Sequence, residues 1–369
     1  MPLSRIDPTR YATLFAAKAE RFRRDFAAFG LPELQLFASA PLGYRLRAEF
    51  RMWHTGSRID YAMFDPADPR QAVPIQDFPP AADAIRALMP RLRARLLADD
   101  TLRHRLFQTE FLATLKGDLL LSLIYHRKLD ADWETAARRA AADFGIHIIG
   151  RSRGQRIVIG NDWLEEEIRV DGRCLRYRQI EGGFTQPNGE INRAMLGWAR
   201  TRAANLGGDL LELYCGNGNF TVALAPLFGK VFATELSKSS TAAARCNLEA
   251  NGIRNVALAR MASGEVGDAL AGVRLFRRLE DIDLATFRFS TLFVDPPRAG
   301  LDAATLALAR GFDKVLYISC NPATLRENLA VLAASHRIAA AAAFDQFPYT
   351  DHLESGLLLE RRDNRKSPD

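Results

Sequence analysis

Leu211-Glu-Leu-Tyr214-Cys215-Gly216-Asn217-Gly218-Asn219-Phe220 decides the fold. An apolar strand runs into two glycines one residue apart and then into a helix-forming segment, a turn whose missing side chains let the backbone approach a ligand closely. Glu235 stands 21 residues after Tyr214 at the end of the next apolar run, where an acid can accept both ribose hydroxyls of an adenosine-type cofactor. A dinucleotide loop would carry a third small residue at position 221, beneath its pyrophosphate. Here Gly-x-Gly is followed by Asn219, Phe220 and Thr221, which favours S-adenosylmethionine over a nicotinamide dinucleotide.

Outward from this loop, short apolar runs alternate with helical stretches. The runs are Leu210 to Tyr214, Val231 to Thr234, Val256 to Ala259, Leu292 to Val294, Val315 to Ser319, Ile338 to Phe344 and Leu357 to Leu359. Amphipathic segments such as Lys238 to Asn251 and Ala323 to Ala334 separate them, so the spacing predicts a doubly wound, mostly parallel α/β sheet of seven strands. The last two strands lack a helix-length gap and should form an antiparallel hairpin that ends the sheet.

Open α/β sheets bind ligands at the carboxyl ends of their strands, and two motifs fall there. Asp295-Pro-Pro-Arg298 closes the fourth run; an anionic Asp295 could accept from uracil N3, which cytosine lacks, or from a cofactor amino group, or simply cap the next helix. Ser319-Cys320-Asn321-Pro322 closes the fifth, with Asn-Pro setting up a helix start. Glu354 follows 34 residues after Cys320. A thiol and a later acid suit methyl transfer to a pyrimidine. Carbon 5 of uracil is a poor nucleophile until a thiolate adds to carbon 6, and the carbon-5 proton must then be removed before the thiolate can leave. Cys320 is the candidate nucleophile and Glu354 the candidate base. A free thiol is only a few per cent ionised at neutral pH, so positive charge or hydrogen-bond donors are expected near Cys320, with Arg298 a contributor. Cys174, Cys215 and Cys246 read as structural.

The first half has another rhythm: a helix over Arg10 to Ala28, then strands Tyr44 to Trp53 and Asp118 to Tyr125. This reads as an α+β unit over residues 1–180, with the catalytic domain over 181–369 and the helix within residues 1–30 packing on that catalytic domain. Strict alternation places Tyr44, Leu46, Ala48, Phe50 and Met52 on one face and Arg45, Arg47, Glu49, Arg51 and Trp53 on the other. A basic, aromatic-tipped face suits RNA, and equally describes a solvated sheet face. Phe107 is a further candidate for stacking, with Arg47 and Arg51 on phosphates.

Composition sets the outer bounds. With 369 residues and 48% hydrophobic content, the chain has room for roughly two cores. A net charge of +6 and a pI near 9.3 are compatible with a polyanionic partner. Four scattered cysteines form no CxxC pair and no metal spacing, so neither a disulfide framework nor a metal site is expected. With no apolar signal core and no run of about 18 uncharged apolar residues, a cytoplasmic location is expected. The tail Arg361 to Asp369 reads as disordered.

Taken together, Arg47-Ala-Glu-Phe-Arg-Met-Trp-His54, Leu106-Phe-Gln108, Phe184-Thr-Gln-Pro-Asn188, Leu213 to Phe220, Phe293-Val-Asp-Pro-Pro-Arg298, Ile318-Ser-Cys-Asn-Pro322 and Phe344-Asp-Gln-Phe-Pro-Tyr-Thr350 resemble the tRNA (uracil-5-)-methyltransferases of the short bacterial type, over nearly the whole chain. The resemblance implies a Rossmann-like S-adenosylmethionine-dependent methyltransferase domain with an N-terminal RNA-binding domain. It implies 5-methyluridine formation at position 54 in the tRNA T-loop, with the T-arm as partner, tmRNA as a further substrate and a monomeric enzyme. It also implies that Gln186, Tyr214, Asn219, Glu235 and Asp295 contact S-adenosylmethionine, that Cys320 is the nucleophile and that Glu354 is the general base. Relatives acting on ribosomal RNA usually add an oligonucleotide-binding barrel and an iron-sulfur cluster held by four cysteines. This chain has no cysteine before Cys174 and opens on a helix, so neither addition is expected.

Overall fold

A computed structural model describes residues 3–65 and 68–362. The chain divides into two compact units. One comprises residues 3–11, 40–168 and 178–190; the other comprises 12–39, 169–177 and 191–362.

The second unit holds an eight-stranded sheet. Its spatial order is Leu34–Phe37, His336–Phe344, Glu354–Arg361, Lys314–Ser319, Phe289–Val294, Asp209–Leu213, Val231–Glu235 and Val256–Arg260. All neighbours run parallel except Glu354–Arg361, which is antiparallel to both of its partners. The seven strands legible in the sequence all form. The antiparallel pair does not end the sheet, because Leu34–Phe37 adds an eighth strand beside His336–Phe344. Four residues are too few for periodicity to reveal. The central strands are buried on both faces, as parallel strands covered by helices must be.

The long N-terminal helix, Tyr11–Phe26, belongs to this unit and buries Phe15, Lys18, Ala19, Phe22 and Phe26. The spacing of these residues is one helical face, and an ammonium on it is the exception that needs a partner. At the other terminus the strand runs through Arg361, whose guanidinium bonds the Asp313 carboxylate and the carbonyls of Arg310 and Phe312. Arg362 likewise donates to the carbonyls of Ala333 and His336, so the tail expected to be disordered is anchored at its first two residues. Residues 363–369 lie outside the described residues.

The other unit is built on a seven-stranded sheet in the order Asp68–Ile75, Arg58–Asp65, Arg47–Thr55, Leu106–Ala113, Leu119–Tyr125, His147–Ser152 and Gln155–Ile159. Helices Asp83–Ala98 and Ala131–Phe144 cover one face, packing Ile85, Leu88, Leu92 and Trp133 against Ala48, Phe50, Met52 and Tyr61. The alternation along Arg47–Thr55 is therefore real: Ala48, Phe50 and Met52 are buried, whereas Glu49, Arg51 and Trp53 are exposed.

Candidate active site

Strand register assembles the site in the sheet-bearing unit. Leu213 lies level with Thr234 on one side and Val294 on the other, Val294 with Tyr317, and Ser319 with Ser355. One residue beyond these pairs, Glu235, Tyr214 and Asp295 emerge side by side at the carboxyl edge. By the same step Cys320 leaves its strand opposite Glu354, the first residue of the antiparallel strand. Five side chains from sequence-distant positions thus lie along one edge, over four inter-strand steps, or roughly 19 Å at the usual spacing. That is the crevice where open α/β sheets take their ligands.

The glycine loop is shaped by backbone angles that side chains oppose. Gly216 and Gly218 have φ of 57° and 81°, and Tyr214, unusually for a non-glycine, has φ of 61°. Glu235 fixes the loop: its carboxylate accepts from Gly216 N at 3.0 Å and from Ser237 N at 2.7 Å. The Tyr214 hydroxyl donates to Ser263 Oγ at 2.7 Å. Asn219 opens the following helix, and its amide exchanges two hydrogen bonds with Asn192, at 2.9 and 3.0 Å, while its carbonyl accepts from the Tyr177 hydroxyl. Under the loop, Glu212 is fully buried, and neither of its carboxyl oxygens has a hydrogen-bond partner among the described residues. Burial, with help from Asp295, pushes its carboxyl up to about 8.

Three carboxyls around a glycine loop suit a cationic ligand and oppose a pyrophosphate. Asp295 is pushed up to about 7 by burial, so a positive charge delivered beside it would be stabilised as the acid ionises. This donor set fits the sulfonium and adenosine of S-adenosylmethionine and fits a dinucleotide poorly.

Cys320 is half-buried and Glu354 is 5% exposed. Burial raises the Cys320 thiol to about 11; the Glu354 and Asp295 charges add to the rise and Arg298 opposes it. Arg298 thus acts on Cys320 in the expected direction, but desolvation and the two acids outweigh it. Burial also raises Glu354 to about 8, reinforced by Asp295 and again opposed by Arg298. Arg298 is held to this edge by His352, its guanidinium lying 2.8 Å from a ring nitrogen, and its carbonyl accepts from Asn321 and Thr324. Cys215 is buried in the core, and Cys174 is exposed on strand Arg173–Ile180. Among the described residues no group of His, Cys, Asp and Glu is placed to hold a metal ion, and no helix is long and apolar enough to cross a membrane.

The remaining candidates, Gln186, Arg47, Arg51, Trp53 and Phe107, belong to the other unit. Arg51 lies over the Phe107 ring at 3.9 Å, and the His126 ring stacks on Phe107 at 4.0 Å, which makes a three-layer column on the helix-free side of the sheet. Both faces of Phe107 are therefore covered, and the surfaces open to a ligand are those of Arg51 and His126. Trp53, 43% exposed, leans edge-on against Phe64. Arg47 donates to the Gly183 carbonyl at 2.6 Å, which ties the sheet to the turn preceding Gln186.

Sequence reading missed His126, Asn192, Glu212 and Lys18. Asn192 and Lys18 had a signal, since each is a polar residue on an otherwise apolar helix face. Glu212 sat unremarked inside the motif itself. A lone histidine after a strand carries none.

The tRNA (Uracil-5-)-methyltransferase family model matches residues 10–362. The chain belongs to the tRNA (uracil-5-)-methyltransferase family. It is accordingly an S-adenosylmethionine-dependent RNA methyltransferase. It is 63% identical over 368 residues to the tRNA/tmRNA (uracil-C(5))-methyltransferase of Aromatoleum aromaticum, covering 100% of both chains. It is 54% identical over 362 residues to the protein so named in Azotobacter vinelandii, covering 98% of this chain and 100% of that one. Its fold resembles the Pyrococcus abyssi tRNA (uracil-54, C5)-methyltransferase crystallised with S-adenosyl-L-homocysteine, with a TM-score of 0.70 and 19% identity over 95% of this chain and 83% of that one.

Proposed function

We propose that the chain methylates carbon 5 of the uridine at position 54 in the tRNA T-loop, and T-loop-like sites in tmRNA, through a covalent Cys320 adduct that Glu354 resolves. The observation that carries this reading is the register opposing Cys320 to Glu354 at the edge that also bears Tyr214, Glu235 and Asp295. The relatives' names supply the RNA class.

Gln186, Tyr214, Asn219, Glu235 and Asp295 would hold S-adenosylmethionine, with Glu235 on the ribose. When bound, it supplies the methyl group as an electrophilic carbon on sulfur. The Cys320 thiolate adds to C6, and the electron pair of the C5=C6 bond makes C5 nucleophilic towards that carbon. Glu354 then removes the C5 proton. The returning pair restores C5=C6 and expels the thiolate, which takes up a proton to regain the resting thiol, while the C5 proton held on Glu354 passes to water. A thiol near 11 is protonated in the resting site, so its ionisation must accompany binding and attack.

Bringing the uridine to Cys320 means extruding it from the T-loop, at a cost of a few kcal/mol in lost stacking. The Arg51–Phe107–His126 column and Trp53 offer flat and cationic surfaces to the unstacked bases, and Arg47 orders the turn before Gln186. Four free cysteines fit a reducing cytoplasm as the place of action.

The test is tritium release. With transcripts carrying uridine tritiated at C5, wild type should release one tritium to water for each methyl group incorporated. Methyl incorporation without tritium release would place the methyl elsewhere than C5.

A further inference from the structure

The base-bearing strand is reached through a loop, residues 345–353, that joins it to His336–Phe344. The loop has reasons to move. Tyr349 sits at φ of 62°, and the loop's internal bonds include Thr350 N and Oγ1 to the Phe347 carbonyl and His352 N to Thr350 Oγ1. Its ends are paired across the strands, Phe344 opposite Glu354, and a brace from elsewhere in the chain ties the loop down beyond that pair. The Lys18 ammonium, from helix Tyr11–Phe26, donates to Asp345 Oδ1 at 2.7 Å, to the Phe347 carbonyl at 3.0 Å and to the His352 carbonyl at 3.0 Å. These contacts use all three donors of the group. Lys18 is 6% exposed and Asp345 1%. A buried ion pair is a poor source of net stability, because desolvation offsets the attraction, and such pairs are better understood as fixing one arrangement among several.

The arrangement fixed here bears on chemistry. His352 lies two residues before Glu354, and its ring contacts Arg298, the one cation that opposes the rise of both Cys320 and Glu354. Arg21, one turn further along the helix, donates to the Asp351 carbonyl at 3.0 Å and grips the same stretch from the solvent side.

We propose that Lys18 is a positioning residue for the general base: by bracing both limbs of the 345–353 loop on one ammonium, it fixes the end of the strand so that the Glu354 side chain can reach the C5 proton of the adduct. The proposal rests on the covalent reading above. It concerns the step after methyl transfer, so its signature is a separation of the two halves of the reaction. Misplacing a catalytic group by about 1 Å costs on the order of 100-fold. Proton removal should therefore slow by about 10- to 100-fold in Lys18→Met, with single-turnover methyl transfer nearly intact.

The experiment follows methyl transfer, tritium release from C5 and denaturant-stable protein–RNA adduct in one reaction. It compares wild type, Lys18→Met, the neutralised pair Lys18→Met/Asp345→Asn and Glu354→Gln. The double variant keeps the test open should Lys18→Met fail to fold, because it leaves no unpaired buried charge. Expected are methyl transfer running ahead of tritium release and accumulation of adduct in both Lys18 variants, approaching the level in Glu354→Gln. Loss of both half-reactions together, or wild-type kinetics, would overturn the positioning role. Failure of Glu354→Gln itself to trap adduct would instead remove the base assignment on which the proposal stands.

Discussion

Replacing Glu354 by Gln separates the two duties that its place imposes on it. The substitution keeps the side chain's volume on a strand hydrogen-bonded on both sides, so the sheet should persist. A positioned base typically contributes about 100- to 10,000-fold, and turnover should fall by that order. The same change should make Cys320 more reactive, because the Glu354 charge is the second cause, after burial, of the thiol's rise to about 11. With the thiol at 11, only about 0.1% is thiolate at pH 8. The sign depends on pH. Glu354 titrates near 8, so at pH 6.5 it carries its proton and exerts no charge, and wild type and variant should alkylate with iodoacetamide alike. At pH 9 wild-type Glu354 is ionised, and the variant should alkylate faster. The linked stability follows. A carboxyl raised from 4.5 to about 8 binds its proton more tightly in the folded state, so its contribution is full below 4.5 and is lost as pH rises towards 8. Glu354→Gln should then gain on wild type in thermal stability between about pH 5 and pH 8. Alkylation by the variant at the wild-type rate at pH 9, with turnover retained, would refute the reasoning on both counts.

Other outcomes follow from neighbouring geometry. Phe107→Ala removes the ring that supports Arg51 and His126 and should weaken tRNA binding by up to about 1–3 kcal/mol, the value of one stacking surface lost at either neighbour, with S-adenosylmethionine affinity unchanged by calorimetry. Glu235→Ala loses the proposed ribose acceptor and the bond from Gly216 N that holds the glycine loop, so S-adenosylmethionine binding should weaken by at least about tenfold, with Glu235→Gln intermediate since it keeps one acceptor oxygen. A Cβ at Gly356, two residues along the strand from Glu354, would lie 2.7 Å from the buried Trp198 ring. Gly356→Ala should therefore cost about 1–3 kcal/mol in thermal unfolding.

The catalytic half was readable because its physics is local. Strands buried on both faces appear as apolar runs, and the glycine turn and the Asn-Pro helix start are written in residues that few other conformations tolerate. Strand order then brings Glu235, Tyr214, Asp295, Cys320 and Glu354 to one edge, so naming strand ends was nearly enough to name the candidate site. Leu34–Phe37 escaped because its pairing is decided 300 residues away, at Ala341–Phe344. Charge balance also escaped. Arg298 was read as a contributor of positive charge beside Cys320, which it is, but whether it or burial and two acids prevail depends on desolvation, which no motif encodes. His126 acquires meaning only from Phe107 on a neighbouring strand, and Lys18 only from a loop more than 300 residues later.

The account stands most directly on methyl transfer from labelled S-adenosylmethionine to unmodified tRNA, comparing wild type, Cys320→Ala and a transcript whose position-54 uridine is replaced by cytidine. Label should enter RNA only with wild type on the uridine transcript. Label persisting with Cys320→Ala would contradict the covalent route, and label persisting on the cytidine transcript would place the target outside the T-loop position.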